Sequence, residues 1–508
     1  MKKYALTVIS MLLLLVSACT PKDGGELSFI DETAENKEEA GTSSYESEAP
    51  VFPRDYVEEV SSYNRFISSE DRIYFTTTQF YESDNVIILE ADPVDMTYRP
   101  LCQKPGCTHE DNSCYAYFHR TSSEEYCGWD FQGYDDGLYQ YVIPKKAEEP
   151  VMQLLKYDPL GKTAPVVAYE IPVEGLLHLT ESAEIYPECC LHRGYAVISS
   201  EKLEEPNPDL QEEEAPDPSE DEDYDPANPY NEMANMRYDR TIYLSLYDLE
   251  KQKMITAFEK TYPNMNHCWG NVYIVDDEIY MFVEQMEMHP FTRTDENGTS
   301  AYDIRYELEE IEIYRIALSE DPKPELLFEG KIPSIDSIGM IHFGNDSMDF
   351  LTRLTEDCEF GNKHDLVLMN LDFSTGTIRN RNTLFNGSED AINDGANGFM
   401  SMAFFSDGYI LGKSFMEVPD LSNPASSVSG ERFIIFDMNG EKESEFTFQE
   451  ELPYADRTHY FGLNICGVGR DCIYCNNSTE DHILLLRVPL DGSEVRYFKP
   501  AEGTEEAS

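Results

Sequence analysis

Past residue 60 the apolar positions fall in short aromatic and β-branched runs, split by Asp-Gly, Asn-Gly and similar turns. No long stripe at helical spacing interrupts them, so the pattern predicts strands and tight turns. One sub-pattern recurs: a turn with Asp or Gly, then a strand that opens on apolar or aromatic residues. It reads EDRIYF (Ile73), DDGLYQ (Leu138), HRGYAV (Tyr195), DDEIYM (Ile279), NDSMDF (Met348), SDGYIL (Tyr409) and RDCIYC (Ile473). Subtracting successive positions gives spacings of 65, 57, 84, 69, 61 and 64.

A second strand follows each marker and most often ends in Asp: at Asp92, Asp158, Asp248, Asp372, Asp437 and Asp491, with Ile316 as the exception. Each unit therefore offers a strand, a tight turn, a strand, a variable loop, a strand ending at Asp, and a short last strand such as VVAYEI from Val166. One small twisted sheet cannot cover its own faces and gains burial by stacking on neighbours, so four strands repeated at a near-constant period predict a β-propeller. The expected fold is all-β, a seven-bladed propeller of four-stranded antiparallel blades over residues 56–500. A string of separate sandwich or barrel domains would also have short strands, but would not repeat marker and Asp-ended strand in one order. The Gly-His and Trp-Asp pair of WD repeats, the Gly-Gly of kelch and the Ser-x-Asp-x-Gly box of sialidases are all missing.

In such a fold the connections between second and third strands share a face with the links between blades. The long insertions fall there: an acidic stretch from about Glu201 to Asn235, then loops expected over Glu284 to Asp303, Leu354 to Lys363 and Lys413 to Glu431. The remaining connections are mostly short. Because binding residues sit on loops held by rigid scaffolds, the elaborated face is the expected site.

The amino terminus changes where the molecule is expected to be. MKKYALTVISMLLLLVSAC has two lysines, an apolar run from Ala5 to Val16 and small residues up to Cys19. That is a secretory signal, too short to span a bilayer comfortably. Leu15 to Cys19 resembles the lipobox of bacterial lipoproteins, which implies removal of residues 1–18 and a diacylglycerol on the Cys19 thiol. Two acyl chains suffice for stable attachment, so this anchor places the protein at the outer side of the cell membrane. The segment 19–55, rich in Glu, Ser, Gly and Thr and poor in aromatics, cannot bury enough apolar surface to offset chain entropy and reads as a disordered tether. Residues 501–508 read as a disordered tail. The strand rhythm behind such an anchor resembles the loosely defined propeller lipoproteins of Gram-positive bacteria, a resemblance that covers most of the chain and implies no particular activity.

Composition narrows the partners. There are 98 Asp and Glu against 38 Lys and Arg, a formal charge of −60. Nucleic acid is excluded as a partner because phosphate contacts need a surplus of basic side chains. The simplest role of the acidity is solubility at a wet surface, with attraction of cations or cationic ligands the sharper one. The apolar share of 41% and the 26 Phe and 33 Tyr are ample for a core.

Residues 102–114, CQKPGCTHEDNSC, fall in the link from the first to the second unit. Cys102, Cys107, His109 and Cys114 supply three thiols and an imidazole, a chemically adequate set for tetrahedral zinc, though the spacing departs from the common C-x2-C pattern. Disulfides are the default in an exported chain, with Cys107 to Cys114 or Cys102 to Cys127 as pairings, and a reduced state is the third alternative. Cys189 with Cys190, and Cys472 with Cys475, are poorly spaced for internal bridges. The run DPSEDEDYD lacks the glycine and the terminal Glu of an EF-hand loop.

The two tryptophans, Trp129 in CGWD and Trp269 in HCWG, open inner strands at matching places of the second and fourth units. They pack between blades or, if exposed, stack on sugar rings or peptide side chains. With His267 and His342 they are the candidate ligand-binding residues. No Gly-x-Ser-x-Gly elbow, His-Glu-x-x-His, phosphate-cradling loop or dinucleotide fingerprint is present. The expectation is a monomeric head that binds an extracellular glycan, peptide or partner protein. The alternative is a propeller hydrolase or lyase acting on polysaccharide, its carboxylate pair hidden among many acids.

Overall fold

The alternating runs do form strands. In the computed structural model, residues 49–501 are described except 55–65, 69–71, 77–85, 110–111, 129–130, 146–149, 180–183, 205–227, 232–235, 295–299, 386–399, 417–428, 449–463, 479–482 and a scatter of single or paired positions. Cys19, the signal and most of the tether lie outside the described residues, as do Trp129 and most of the acidic stretch. Among the described residues no helix is long and apolar enough to cross a membrane.

The first sheet holds β1 (Phe66–Ser68), β2 (Ile73–Thr76), β3 (Ile88–Asp92) and β4 (Thr97–Pro100). The second holds β5 (Glu125–Cys127), β6 (Gln132–Tyr134), β7 (Gly137–Pro144), β8 (Val151–Tyr157) and β9 (Val166–Pro172). A small ribbon, β10 (His178–Leu179) with β11 (Glu184–Ile185), precedes the third sheet: β12 (Glu188–His192), β13 (Tyr195–Glu204), β14 (Tyr238–Asp248) and β15 (Lys253–Met265). The fourth is β16 (His267–Val275), β17 (Glu278–Thr294), β18 (Ser300–Ala317) and β19 (Glu325–Gly330). The fifth is β20 (Gly339–Phe343), β21 (Ser347–Arg353), β22 (Leu366–Asp372) and β23 (Thr377–Phe385). The sixth is β24 (Met400–Phe405), β25 (Gly408–Met416), β26 (Ser429–Asp437) and β27 (Lys442–Phe448). The seventh is β28 (Asn464–Val468), β29 (Cys472–Ser478), β30 (Ile483–Pro489) and β31 (Arg496–Tyr497), after which β32 (Lys499–Pro500) ends the fold.

The second to seventh sheets are wholly antiparallel, each with a path of four successive hydrogen-bonded strands, β6 lying beside β5 on β7 in the second. They are six blades of a β-propeller. The first sheet differs from the expected pattern of seven like units: its strands are short, and β32 joins its outer edge in parallel, Lys499 opposite Thr97.

The Asp-ended strands have a local cause. Asp92, Asp248, Asp372 and Asp437 close β3, β14, β22 and β26, and each carboxylate turns back on the next amides. Asp372 accepts from the Ser374 and Thr375 amides at 2.9 and 3.1 Å, and Asp248 from those of Glu250 and Lys251 at 3.0 and 2.9 Å. Such Asx turns direct the chain into the fourth strand, which is why the residue recurs.

Alternate side chains of each strand point to opposite neighbours. On β29, Ile473 and Cys475 pack with Phe433 and Ile435 of β26, whereas Cys472 and Tyr474 pack with Phe75 and Leu89 of the first sheet. Tyr74 and Ile88 face the other way, into a core shared with Leu138, Val142 and Tyr157 of the second. Similar cores join the second sheet to the third, the third to the fourth and the fourth to the fifth. Between the fifth and sixth, Arg381 and Asn382 of β23 reach Asn439 and Gly440 at 2.7 and 2.6 Å. Full burial of each aliphatic or aromatic side chain stabilises by about 1.5–3 kcal/mol.

One expected loop is a strand pair. From Met286 to Thr294, β17 stays paired with β18 from Ser300 to Leu308, forming an arm that extends beyond β16. Leu354 to Lys363 is a turn-rich connection, as expected, with a bridge between Cys358 and Gly361.

Candidate functional site

The four side chains of the cysteine cluster converge. The ligand atoms of Cys102, Cys107, His109 and Cys114 all lie within 4.8 Å of one another. Cys102 and Cys114 are buried in the core between the first and second sheets, and Cys107 packs against it. The chain leaves β4, runs through Leu101 and Cys102 into this core, and is fastened where Gln103 donates to the Gly161 carbonyl at 2.8 Å. Gly161 lies in the turn between β8 and β9 with φ +64, and a Cβ there would stand 1.6 Å from the Leu101 carbonyl oxygen. Only glycine admits that approach. The turn belongs to the short connections, and it ties the start of the cluster to the outer hairpin of the second sheet.

Two amides point at sulfur: Lys104 donates to Cys102 Sγ and Ala116 to Cys114 Sγ, each at 3.4 Å. His109 adopts φ 62 and turns Nδ1 to 3.3 Å from Cys114 Sγ. A left-handed residue other than glycine is uncommon, though histidine is among those that tolerate it. The Lys104 ammonium donates to the carbonyl and hydroxyl of Ser113, at 2.8 and 3.0 Å, closing the loop across its neck. Burial opposes charge on Cys102, yet the Lys104 and Tyr115 amides and the Cys107 and Cys114 thiols outweigh it and hold its pKa below the ordinary thiol value. Burial pushes the Cys114 thiol up and the His109 imidazole down, the latter favouring the neutral ligand form. Cys127 is buried in the same core but is not one of the four, and burial raises its thiol pKa.

The second candidate group sits on the fourth sheet. Trp269 on β16 is 43% exposed, and His267, two residues earlier on the same side of the strand, is buried beside it with ring centroids 4.3 Å apart. Tyr306 of β18 approaches His267 from the arm at 5.3 Å. Among the described residues neither ring nitrogen of His267 has a hydrogen-bond partner. Burial and the nearby Arg240 guanidinium lower its pKa to about 4, so it is neutral at pH 7. Arg240 reaches Glu201 at 3.5 Å and the Asn266 carbonyl at 3.4 Å. Opposite Trp269 on β17 stands Glu284, 6% exposed, which accepts from Asn271 Nδ2 at 3.4 Å. Burial raises its pKa to about 7.

Of the expected ligand residues, Trp269 and His267 therefore meet, Trp129 lies outside the described residues, and His342 is exposed on β20 opposite Asp349. Glu284, Arg240 and Lys104 did not stand out in the sequence. Glu284 carried a signal: it is a lone charge after the apolar run IYMFV, mid-strand in the unit that also holds Trp269.

No family model matches the chain, and no curated protein matches it. Among solved structures it is similar to a prolyl endopeptidase at 11% identity, covering 87% of this chain and 49% of that one with TM-score 0.43. It is also similar to TolB from Acinetobacter baumannii, at 7% identity over 75% of this chain and 64% of that one, TM-score 0.28. A third is cobalt-substituted Synechocystis ACO, at 10% identity over 77% and 72%, TM-score 0.34. The chain spans about half the length of the endopeptidase. Likenesses at this level carry no activity from those proteins to this one.

Proposed function

We propose that the chain is a binding head, exported and held at the outer side of the cell membrane by lipid on Cys19, that recognises an extracellular glycan, peptide or partner protein. In this reading β1–β4 is a seventh blade, and β32 fastens the end of the chain onto it. The observation that carries the binding role is Trp269, an indole exposed on the inner-edge strand of a blade and held beside a buried imidazole. An aromatic face fixed by packing offers contact area at low entropic cost. Its neighbour Asn271, exposed on the same side of the strand, supplies an amide suited to sugar hydroxyls, so a glycan is the favoured ligand class.

The test is a glycan array followed by calorimetry on the full chain and on Trp269→Ala. A fall in affinity of about tenfold or more at unchanged melting temperature supports the site. Binding that survives the substitution removes Trp269 from it. For the anchor, incorporation of labelled fatty acid that Cys19→Ser abolishes is the expected result, and a soluble, unlabelled wild type would overturn it.

Glu284 favours a second reading. A buried carboxyl titrating near neutrality is what a general acid requires, so hydrolysis or elimination on a polysaccharide is the alternative. Release of reducing or unsaturated ends that Glu284→Gln abolishes would establish it, and binding without turnover would dismiss it.

A further inference from the structure

We infer that Cys102, Cys107, His109 and Cys114 form a closed tetrahedral zinc site that staples the link between the first and second sheets. The geometry carries the inference. With zinc–sulfur and zinc–nitrogen bonds of about 2.3 and 2.0 Å, tetrahedral ligands stand roughly 3.5 Å apart for a sulfur–nitrogen edge. The His109 Nδ1 to Cys114 Sγ separation is 3.3 Å, and no pair in the set exceeds 4.8 Å. A single ion at the centre reaches all four with little movement.

Three features beyond the ligand set fit a bound cation. Two backbone amides are aimed at sulfur, from Lys104 to Cys102 and from Ala116 to Cys114. An amide aimed at sulfur stabilises a thiolate more than a thiol. His109 holds a left-handed backbone that brings Nδ1 to the sulfurs. The Lys104 ammonium, tied to Ser113, crosses the neck of the loop. Three thiolates around a dication leave one net negative charge, which a lysine at that place offsets.

The chemistry selects the ion. Three thiolates and an imidazole suit zinc over calcium or magnesium, which take oxygen ligands. Four protein ligands leave no position for water or substrate, so the ion is structural. On binding, the three thiols release three protons to solvent, His109 donates a neutral lone pair, and no electron is transferred. Cys127, in the same core, stays a thiol. The site needs no disulfide between Cys107 and Cys114, since both sulfurs are ligands. Lys104 is a positioning residue that orients the loop and supports the charge.

The inference stands apart from the binding role of Trp269 and is tested separately. The full chain, produced without a histidine tag under reducing conditions and dialysed against zinc, is assayed for metal by mass spectrometry, and cobalt is substituted to read thiolate charge-transfer and tetrahedral d–d absorption. One zinc per chain is expected, with three cobalt–thiolate bonds. Cys127→Ser should keep the metal, His109→Cys should keep it with a fourth thiolate band, and Cys107→Ser should lose it. Lys104→Ala should weaken affinity by about 10- to 100-fold. If Cys107→Ser fails to fold, the cobalt spectrum of the wild type decides alone. A chain that takes up no zinc, that loses it equally with Cys127→Ser, that holds stoichiometric iron or copper instead, or that maps a disulfide among these cysteines after reduction and metal loading overturns the assignment.

Discussion

Gly467 of β28 makes room for the Phe66 ring of β1: a Cβ at Gly467 would stand 2.2 Å from Phe66 Cδ1. Phe66 in turn lies against Tyr474 with ring centroids 5.2 Å apart. This is where the last sheet meets the first, and the absent side chain is what allows the two inner strands to touch. Gly467→Ala should therefore cost about 1–3 kcal/mol by overpacking. Urea unfolding checks it, and Gly467→Ala with Phe66→Leu should recover part of the loss. An unchanged midpoint in the single variant would mean that the ring moves freely and the closure is loose.

Phe498 secures the same junction from the end of the chain. It is buried in the core shared by the first and seventh sheets, and Lys499 and Ala501 donate to the Met96 and Tyr98 carbonyls at 2.9 and 2.8 Å. Phe498→Ala should destabilise by about 3–5 kcal/mol, the range for large aromatic truncations in cores. Calorimetry showing a shift of only a few tenths would place the terminal segment outside the cooperative unit.

Glu312 joins the third and fourth sheets. Its carboxylate, almost fully buried, accepts from Lys260 at 2.6 Å, Tyr262 at 2.8 Å and Tyr314 at 2.6 Å, while the Lys260 side chain stays 37% exposed. Removing the carboxylate leaves the Tyr262 and Tyr314 hydroxyls without an acceptor and a partly solvated Lys260 ammonium, so Glu312→Ala should cost about 1–3 kcal/mol. Because burial against Phe258 and Tyr314 persists, Glu312→Met should cost less. Equal losses for the two would show that the orphaned ammonium and phenols, and not packing, dominate.

Glu284 should make stability depend on pH. Its folded pKa, near 7, lies above the ordinary carboxyl value, so the folded state binds more protons than the unfolded state between about pH 4.3 and 7. Stability from this residue is present at low pH and is lost as pH rises through that window. Glu284→Gln should be more stable than wild type at pH 8, by at most about 4 kcal/mol, with the difference vanishing near pH 4. Parallel denaturation curves across this range would refute the assignment.

The hairpin aspartates act in the opposite sense. The Ser374 hydroxyl and the Thr375 amide hold the Asp372 carboxyl below its usual range. A depressed pKa means that the contribution exists above about pH 4, the unfolded value, and disappears as pH falls through the folded one. Asp372→Asn keeps a side-chain acceptor for the turn and should flatten acid unfolding below pH 4, while Asp372→Ala should lower the unfolding midpoint at neutral pH. Circular dichroism during acid titration distinguishes them.

The strand rhythm, the tight turns and the Asp that ends most third strands were legible because each is a local matter: alternation of side chains, the conformations a turn demands, and a carboxylate reaching amides two or three residues on. Where locality fails, the sequence misled. The segment from Glu284 to Asp303 contains Pro290 and many charges and was expected to loop, yet β17 and β18 pair through it, opposing Pro290 with Ile304. A two-stranded arm with both faces partly wet leaves little apolar contrast for alternation to mark.

For the candidate sites the division is the same. Residue type and spacing singled out Cys102, Cys107, His109 and Cys114 but left metal, disulfide and free thiol all open, with disulfide the default. Their convergence depends on Gln103 meeting Gly161 more than fifty positions later and on a left-handed backbone at His109, neither of which a spacing encodes. Likewise the sequence placed His267 and Trp269 two apart on one strand, but only the packing of Tyr306 and Arg240 around them decided that the imidazole is buried and the indole exposed. Periodicity fixes which side a residue faces. What it meets there is set by sheets that come together across the whole length of the chain.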